Sequence, residues 1–306
     1  MLNSNTDGII GALKKYGFFF SKFTLYSNGN WDFDDADWNY KDIPHLKHVH
    51  KQIEAHPSYI NDDFISSVGV QKIPPFIKIP ITLTIYDTSP SELTYYSSLL
   101  FWIIVVKTKI VRNSYNNTTV ETEYNIGSTK FFQLAVPLIK FLIRRNYKDL
   151  MSGDLPMRER RGFLRENGIS FIKNKKNGKY TFLETTELNK SKLIYPENVK
   201  NKTVIFTVEL NELNIYEYIY LGDSITGLIL IKYLNKIEIF RRICDHEGAE
   251  IKIESYDNQA CKMICPWHGK KIPPIAKIEN LTLIFKIDNI NIEFNNNKFD
   301  IKYTHF

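Results

Sequence analysis

The chain has 306 residues, 43% of them hydrophobic, and only three cysteines, enough apolar material for a large core in two domains and too little cysteine for a disulfide framework. Its net charge is +6 (40 basic, 34 acidic), and the surplus is N-terminal: residues 200–306 hold 14 of each sign, whereas Lys140–Lys179 holds 12 basic against 4 acidic side chains. That stretch suits an acidic partner, an anionic membrane or a solvated helix face, and since no RNA- or DNA-binding signature accompanies it, nucleic acid is not an expected partner.

The opening MLNSNTDGII is too polar for a signal peptide, and the longest apolar run, Leu99–Val106 (LLFWIIVV), is far short of the ~20 residues of a transmembrane helix. A cytoplasmic protein with no transmembrane segment is expected, and LLFWIIVV reads as a buried strand. In DWNYKDIPHLKHVHKQIEA (37–55), Asp42 as N-cap and Pro44 in the first turn predict a helix over 43–55. From Tyr59 to Asn125 the chain is rich in Ile, Val, Thr, Tyr and Phe, with breaks at SVGVQKIPP, YDTSPSE and RNSYNN, which predicts an antiparallel sheet. Phe131, Leu134, Leu138 and Leu142 recur at helical spacing, so a helix over 130–151 should lay that stripe on the sheet and end at SGDLP. PMRERRGFLREN (156–167) reads as a second, short helix stopped by Gly168.

KNKKNGKY (173–180) suggests a hairpin turn at Asn177-Gly178, and ELNKSKLIYPENVKNK (187–202) a linker, with a domain boundary near 198. Beyond it TVIFTVEL, GLILIKYL, KIEIFRRI, ENLTLIFKI, INIEF and FDIKY are β-rich runs separated by polar turns, so the second domain, 199–306, should be small and all-β. The fold class is therefore α+β.

Cys244-Asp-His246 and Cys265-Pro-Trp-His268 each present a thiol and an imidazole from a tight loop, with Gly248 and Gly269 close behind. Glycine lets such a loop fold closely around a metal. Two Cys and two His suit tetrahedral zinc, although Cys-x-His is tighter than most structural zinc spacings; they also suit a 2Fe-2S cluster in which thiolates hold one iron and imidazoles the other. Cys261 duplicates neither position and reads as a small core residue.

Both halves, CDHEGA and CPWHG, with 18 residues between His246 and Cys265, resemble the Rieske family. The resemblance covers roughly 203–306 and implies a Rieske domain whose 2Fe-2S cluster is held by Cys244, His246, Cys265 and His268. Where Rieske proteins of the cytochrome complexes have an extra cysteine in each loop, this chain has Ala249 and Trp267, and Lys270 stands where those proteins carry a serine. It therefore looks more similar to the ferredoxin and oxygenase type, which implies a potential toward the low end of the Rieske range.

His45, His48 and His50 crowd one predicted helix, and Asp42-x-x-His45-x-x-x-x-His50 resembles a motif of Rieske ring-hydroxylating oxygenase α subunits. In that family the two histidines bind mononuclear Fe(II), the aspartate bridges to the cluster, and a later carboxylate completes the ligand set. Measured against the Leu138/Leu142 stripe, Asp149 projects inward and is the expected third ligand, with Asp154 its rival beyond the helix. A histidine helix, strands and a long helix, over residues 1–198, resemble the helix-grip (START-like) catalytic domain of those enzymes, although their Rieske domain is N-terminal. The resemblance implies an oxidoreductase that takes electrons from a reductase or ferredoxin, passes them through Asp42, and activates O2 on a hydrophobic substrate; it also implies a homo-oligomer. The alternative is a Rieske electron carrier fused to a START-like ligand-binding module with no oxygenase activity.

Overall fold

The computed structural model describes residues 6–60, 64–73, 77–172, 178–179, 192–200, 202–209, 218–257, 262–295 and 298–305. The chain divides into two compact units, Met1–Phe163 with Asn174–Asn189, and Leu164–Lys173 with Lys190–Phe306. Where the sequence suggests a single break near 198, the second unit also takes in Leu164–Lys173. Asn177, Cys261, Asn296 and Asn297 lie outside the described residues.

The first unit opens with elements the polar N-terminal sequence did not announce: α1 (Thr6–Lys15), β1 (Phe19–Gly29) and α2 (Phe33–Lys41). Asp32 starts α2 through a capping box with Asp35, each side chain accepting from the other's end of the turn, which satisfies amides that would otherwise lack partners. A 3-10 turn, Ile43–His45, and the single-turn α3 (Leu46–Val49) follow. Then come β2 (Ile53–Ile60), β3 (Phe64–Ile73), β4 (Ile77–Ser89), β5 (Glu92–Leu99), β6 (Trp102–Ser114) and β7 (Asn117–Ser128). A 3-10 segment, Lys130–Ala135, leads into α4 (Val136–Glu166).

The sheet is antiparallel in the order β1-β7-β6-β5-β4-β3-β2, with the two-residue strand Gly178–Lys179 outside β2. β2 to β7 form a meander, and β1 pairs with β7 from Phe19 opposite Ser128 to Gly29 opposite Thr118. A large antiparallel sheet with one long helix is the helix-grip arrangement expected. Its core joins Trp31, Ala36, Ile43, Ile65, Ile85, Ile110 and Val120, each isoleucine or valine contributing roughly 1.5–3 kcal/mol by leaving water.

Several local expectations change. The helix over 43–55 is only the 3-10 turn and α3; His50 is already extended (φ −108°, ψ 122°), and β2 begins at Ile53 because that strand has β3 to pair with. LLFWIIVV is not one strand: Leu100 and Phe101 form the two-residue turn between β5 and β6, Leu99 lies opposite Trp102, and both turn residues are exposed. Of the expected stripe, Phe131, Leu134 and Leu138 face solvent while Leu142 packs inward; the face turned to the sheet runs through Val136, Ile139, Leu142 and Ile143. SGDLP does not stop the helix, and Pro156 lies inside α4. Proline removes one helical hydrogen bond, but the fully buried Arg158 and Arg161 beyond it reach Asn39 and Asp35 at 2.8 and 3.0 Å. Those tertiary contacts outweigh the local stop signal.

In the second unit an antiparallel sheet of Tyr218–Leu221, Leu228–Tyr233, Lys236–Arg241, Ala276–Glu279 and Thr282–Lys286 shares a core with a sheet of Thr203–Glu209, Lys298–Thr304 and Ile290–Asn295. Leu228, Leu230, Ile239, Phe299, Ile301 and Tyr303 fill the space between. The expected β-runs are present, except that ENLTLIFKI is split by a turn at Asn280 and Leu281, both left-handed (φ 49° and 59°). The expected linker contains strand Lys192–Ile194, paired with Ser170–Ile172, and helix Glu197–Lys200. A third sheet, Tyr256–Asp257, Lys262–Ile264 and Lys271–Ile272, carries the second Cys–His loop.

Candidate metal centre and adjoining cavity

On an ideal helix, histidines five residues apart diverge by about 140°. The tight Ile43–His45 turn and the early end of α3 at His50 remove that divergence. His45 Nε2 and His50 Nε2 come within 3.3 Å of one another, and Asp154 Oδ1 lies 3.1 Å from the first and 2.9 Å from the second. All three side chains are buried.

Two ligands at ~2.1 Å from a metal are about 3.0 Å apart when cis and about 4.2 Å apart when trans. All three separations lie near the cis value, so the three atoms would sit as neighbours around one metal ion if it were bound. Two histidines and one carboxylate so placed are the facial set that suits Fe(II) with open positions.

The surroundings favour a cation at this point. Asp42 Oδ2 lies 3.5 Å from His45 Nδ1, on the far side of the ring, the outer carboxylate that orients a ligating imidazole. Burial alone would lower the His45 pKa, but hydrogen bonds and charge from Asp154 and Asp42 hold it at about 9. Burial would raise the Asp154 pKa, yet both histidines and the nearby Arg158 hold it well below the usual carboxylate range. Asn39 Nδ2 reaches Asp154 Oδ1 at 3.5 Å, while Arg158 Nε donates to Asn39 Oδ1 at 2.8 Å. Gly153 lets α4 approach: a Cβ there would stand 2.6 Å from Val49 Cγ1 and 3.0 Å from His50 Cε1.

The third member is thus Asp154, not the expected Asp149. Asp149 Oδ2 instead accepts from Gln52 Nε2 at 2.6 Å on the exposed side. Of the two reference residues Leu138 faces out and Leu142 is half-buried at the cavity, so their line runs along the edge of the inward face, whose centre passes through Ile139, Ile143, Asn146 and Leu150 to Asp154. His48 is exposed. Asn39 and Gly153 had no sequence signal, since neither forms part of a spaced motif.

Asp154, His45 and Asp42 also line a cavity of about 350 Å³ between sheet and helix. Its sheet wall is built in rungs fixed by strand register: Thr108 opposite Thr122, Val106 opposite Tyr95 and Tyr124, and Ile104 opposite Ser97. The helix contributes Ile139, Leu142, Ile143, Tyr147 and Leu150. Such a mostly apolar pocket with a few polar groups is suited to a small hydrophobic molecule.

In the second unit the two Cys–His loops have one backbone design. Cys244 N donates to Ala249 O and Gly248 N to Cys244 O, both at 2.9 Å; Cys265 N donates to Lys270 O at 2.8 Å and Gly269 N to Cys265 O at 2.9 Å. Both glycines have left-handed φ (84° and 65°), which glycine adopts without penalty. Cys244 and Cys265 are buried and free, and the His246 and His268 rings lie 5.0 Å apart, almost perpendicular. The hydrogen bond between the thiols, with His268 alongside, holds the Cys265 pKa down, while the same bond and burial push Cys244 up. The donor set and these matched loops fit a cluster bound between them.

Fold and site together define a helix-grip unit with a buried two-histidine, one-carboxylate centre opening on an apolar cavity, joined to a β-unit bearing paired Cys–His loops. No protein-family model and no curated protein matches the sequence. Among solved structures it is similar to the di-domain aromatase/cyclase BexL of the BE-7585A biosynthetic pathway (TM-score 0.41, 8% identity, 50% of this chain), spanning 56% of BexL's length. It is also similar to the Zhui aromatase/cyclase from Streptomcyes sp. R1128 (0.42, 8%, 47% of this chain and 96% of that one) and to TTHA0849 from Thermus thermophilus (0.38, 15%, 47% and 99%). At these scores and identities, nothing about chemistry passes from them to this chain.

Proposed function

We propose that the chain is a Rieske-type iron–sulfur oxidoreductase of the oxygenase kind, acting on a hydrophobic substrate. The observation that supports it most is the trio His45, His50 and Asp154, whose candidate ligand atoms stand at mutual separations near the cis value, with His45 and Asp154 on the wall of a mostly apolar cavity. When bound, a 2Fe-2S cluster supplies single electrons and Fe(II) an O2-binding site. Cys244 and Cys265 would hold one cluster iron, His246 and His268 the other; His45, His50 and Asp154 would hold the mononuclear iron. Asp42 fixes the His45 ring and is the residue assigned to communication between the centres. The cavity wall holds the substrate and keeps bulk water from it. A reductase or ferredoxin is the electron donor in this reading.

The test is iron and acid-labile sulfide per chain after anaerobic incubation with Fe(II) and desalting. About three irons with two sulfides is expected. Two irons with two sulfides would leave an electron carrier fused to a ligand-binding module, and absent sulfide would remove the Rieske reading altogether.

A further inference from the structure

The apolar residues that the sequence assigned to the core but the fold leaves outside lie together. Leu100 and Phe101 tip the β5–β6 hairpin at 67% and 57% exposure; Phe131 and Leu134, in the 3-10 segment, are at 77% and 88%; Leu138 and Phe141 continue the same line on α4. Ring contacts join the two groups: Phe101 stacks on Phe132 with centroids 4.1 Å apart, and Phe132 meets Phe131 at 5.1 Å. Leu100 is in the left-handed region (φ 51°), where Asn or Gly would sit without strain.

Two further observations identify an occupant. Between Thr129 and Lys148 the chain carries five basic and no acidic side chains. Lys130 begins the patch, and Arg145 and Lys148 follow Leu138 and Phe141 by seven residues, on the same helix face, all three exposed. Moreover, Leu99, Ile139 and Leu142 line the cavity, and each is the chain neighbour of a patch residue: Leu100, Leu138 and Phe141. The patch therefore borders the end of the cavity lined by Leu99, Ile139 and Leu142, roughly 18 Å along α4 from Asp154 by the rise from Leu142.

We propose that this face docks on an anionic lipid bilayer, with Leu100, Phe101, Phe131, Leu134, Leu138 and Phe141 entering the headgroup boundary and Lys130, Arg145 and Lys148 meeting lipid phosphates and carboxylates. Docking brings the apolar end of the cavity to the membrane, where a hydrophobic molecule exchanges without crossing water. The combination of an apolar face and a basic rim is the one that interfacial binding requires. It stands independently of the metal chemistry.

The experiment is co-sedimentation of the full chain with vesicles of phosphatidylcholine alone or mixed with phosphatidylserine. Binding is expected to the mixed vesicles and to weaken as salt rises. Each lysine near an anionic surface is worth about fivefold, so Lys130→Ala/Lys148→Ala should weaken binding about 25-fold. Leu100→Ser/Phe101→Ser and Leu134→Ser/Leu138→Ser should each weaken it at least ~10-fold. These sites are exposed, and unchanged circular dichroism and Tm would confirm folding. No binding to mixed vesicles overturns the proposal, as does binding that the apolar variants leave intact. So does a chain that self-associates in analytical ultracentrifugation, becomes monomeric in Leu134→Ser/Leu138→Ser and ignores vesicles, since the face is then an interface between copies.

Discussion

Gly153→Ala probes the metal centre through a residue that ligates nothing. In most helix interiors this change stabilises by ~1 kcal/mol, because glycine has more freedom to lose. Here the new Cβ would lie 2.6 Å from Val49 Cγ1, 3.0 Å from His50 Cε1 and 3.2 Å from His50 Nδ1. Carbon atoms settle at about 3.5–4.0 Å, so Val49 Cγ1 must retreat by roughly 0.9–1.4 Å and the His50 ring by roughly 0.5–1 Å. That ring now stands 2.9 Å from Asp154 Oδ1 and 3.3 Å from His45 Nε2, and a binding constellation tolerates only ~0.5 Å. Metal affinity, followed as Co(II) absorbance during titration, should fall ~10- to 100-fold, the scale seen when support around a ligand is disturbed. Stability of the metal-free chain should change far less, since the helix gain offsets part of an overpacking cost of ~1–3 kcal/mol. Wild-type Co(II) affinity in the folded variant would refute the reasoning.

Asp154→Asn should abolish Co(II) uptake, whereas Asp149→Asn, which disturbs only the contact with Gln52, should leave it unchanged; equal effects would dissolve the choice between the two carboxylates. Asp35→Ala removes the carboxylate 3.0 Å from Arg161, which is 1% exposed, and should cost about 3–5 kcal/mol in urea unfolding; a loss below about 1 kcal/mol would contradict the buried pair. Cys265→Ser should eliminate acid-labile sulfide and the electron-spin signal of the reduced chain while leaving Co(II) binding at His45 intact. Retention of sulfide in that variant would remove Cys265 from the ligand set.

What could be read from the sequence follows the range of the interactions involved. The strands of the second unit were legible because alternation and turn residues are local, and both Cys–His loops because each closes on itself within a few residues. The histidine pair was legible as a pair but not as a geometry, since whether His45 and His50 converge depends on where α3 stops. Pro156 and Gly153 are local helix breakers, yet α4 passes through both. What holds it, Arg158 against Asn39 and Arg161 against Asp35, connects positions about 120 residues apart, beyond any local pattern.

The same long-range contacts place Asp154, and not Asp149, beside the histidines. The start of α4 offers two apolar stripes, Phe131/Leu134/Leu138/Phe141 and Val136/Ile139/Ile143, and periodicity supports either as the inward one. The choice is made at the other end. Arg158 and Arg161 must meet partners on α2, and Asp154, one turn before Arg158, must then face His45 and His50. A continuous helix transmits that rotation toward its N-terminus in steps of three and four, through Leu150, Tyr147 and Ile143 to Ile139. Leu138, one residue off that line, is turned outward, and with it the whole first stripe. Placing Asp154 beside the histidines and exposing the apolar face are therefore one decision, so a variant that freed the rotation, such as Arg158→Met with Arg161→Met, should weaken Co(II) binding and vesicle binding together, although neither arginine lies on the exposed face and Arg158 is hydrogen-bonded to Asp154 only through Asn39. Loss of one with full retention of the other, in a folded protein, would show that the helix does not turn as a unit.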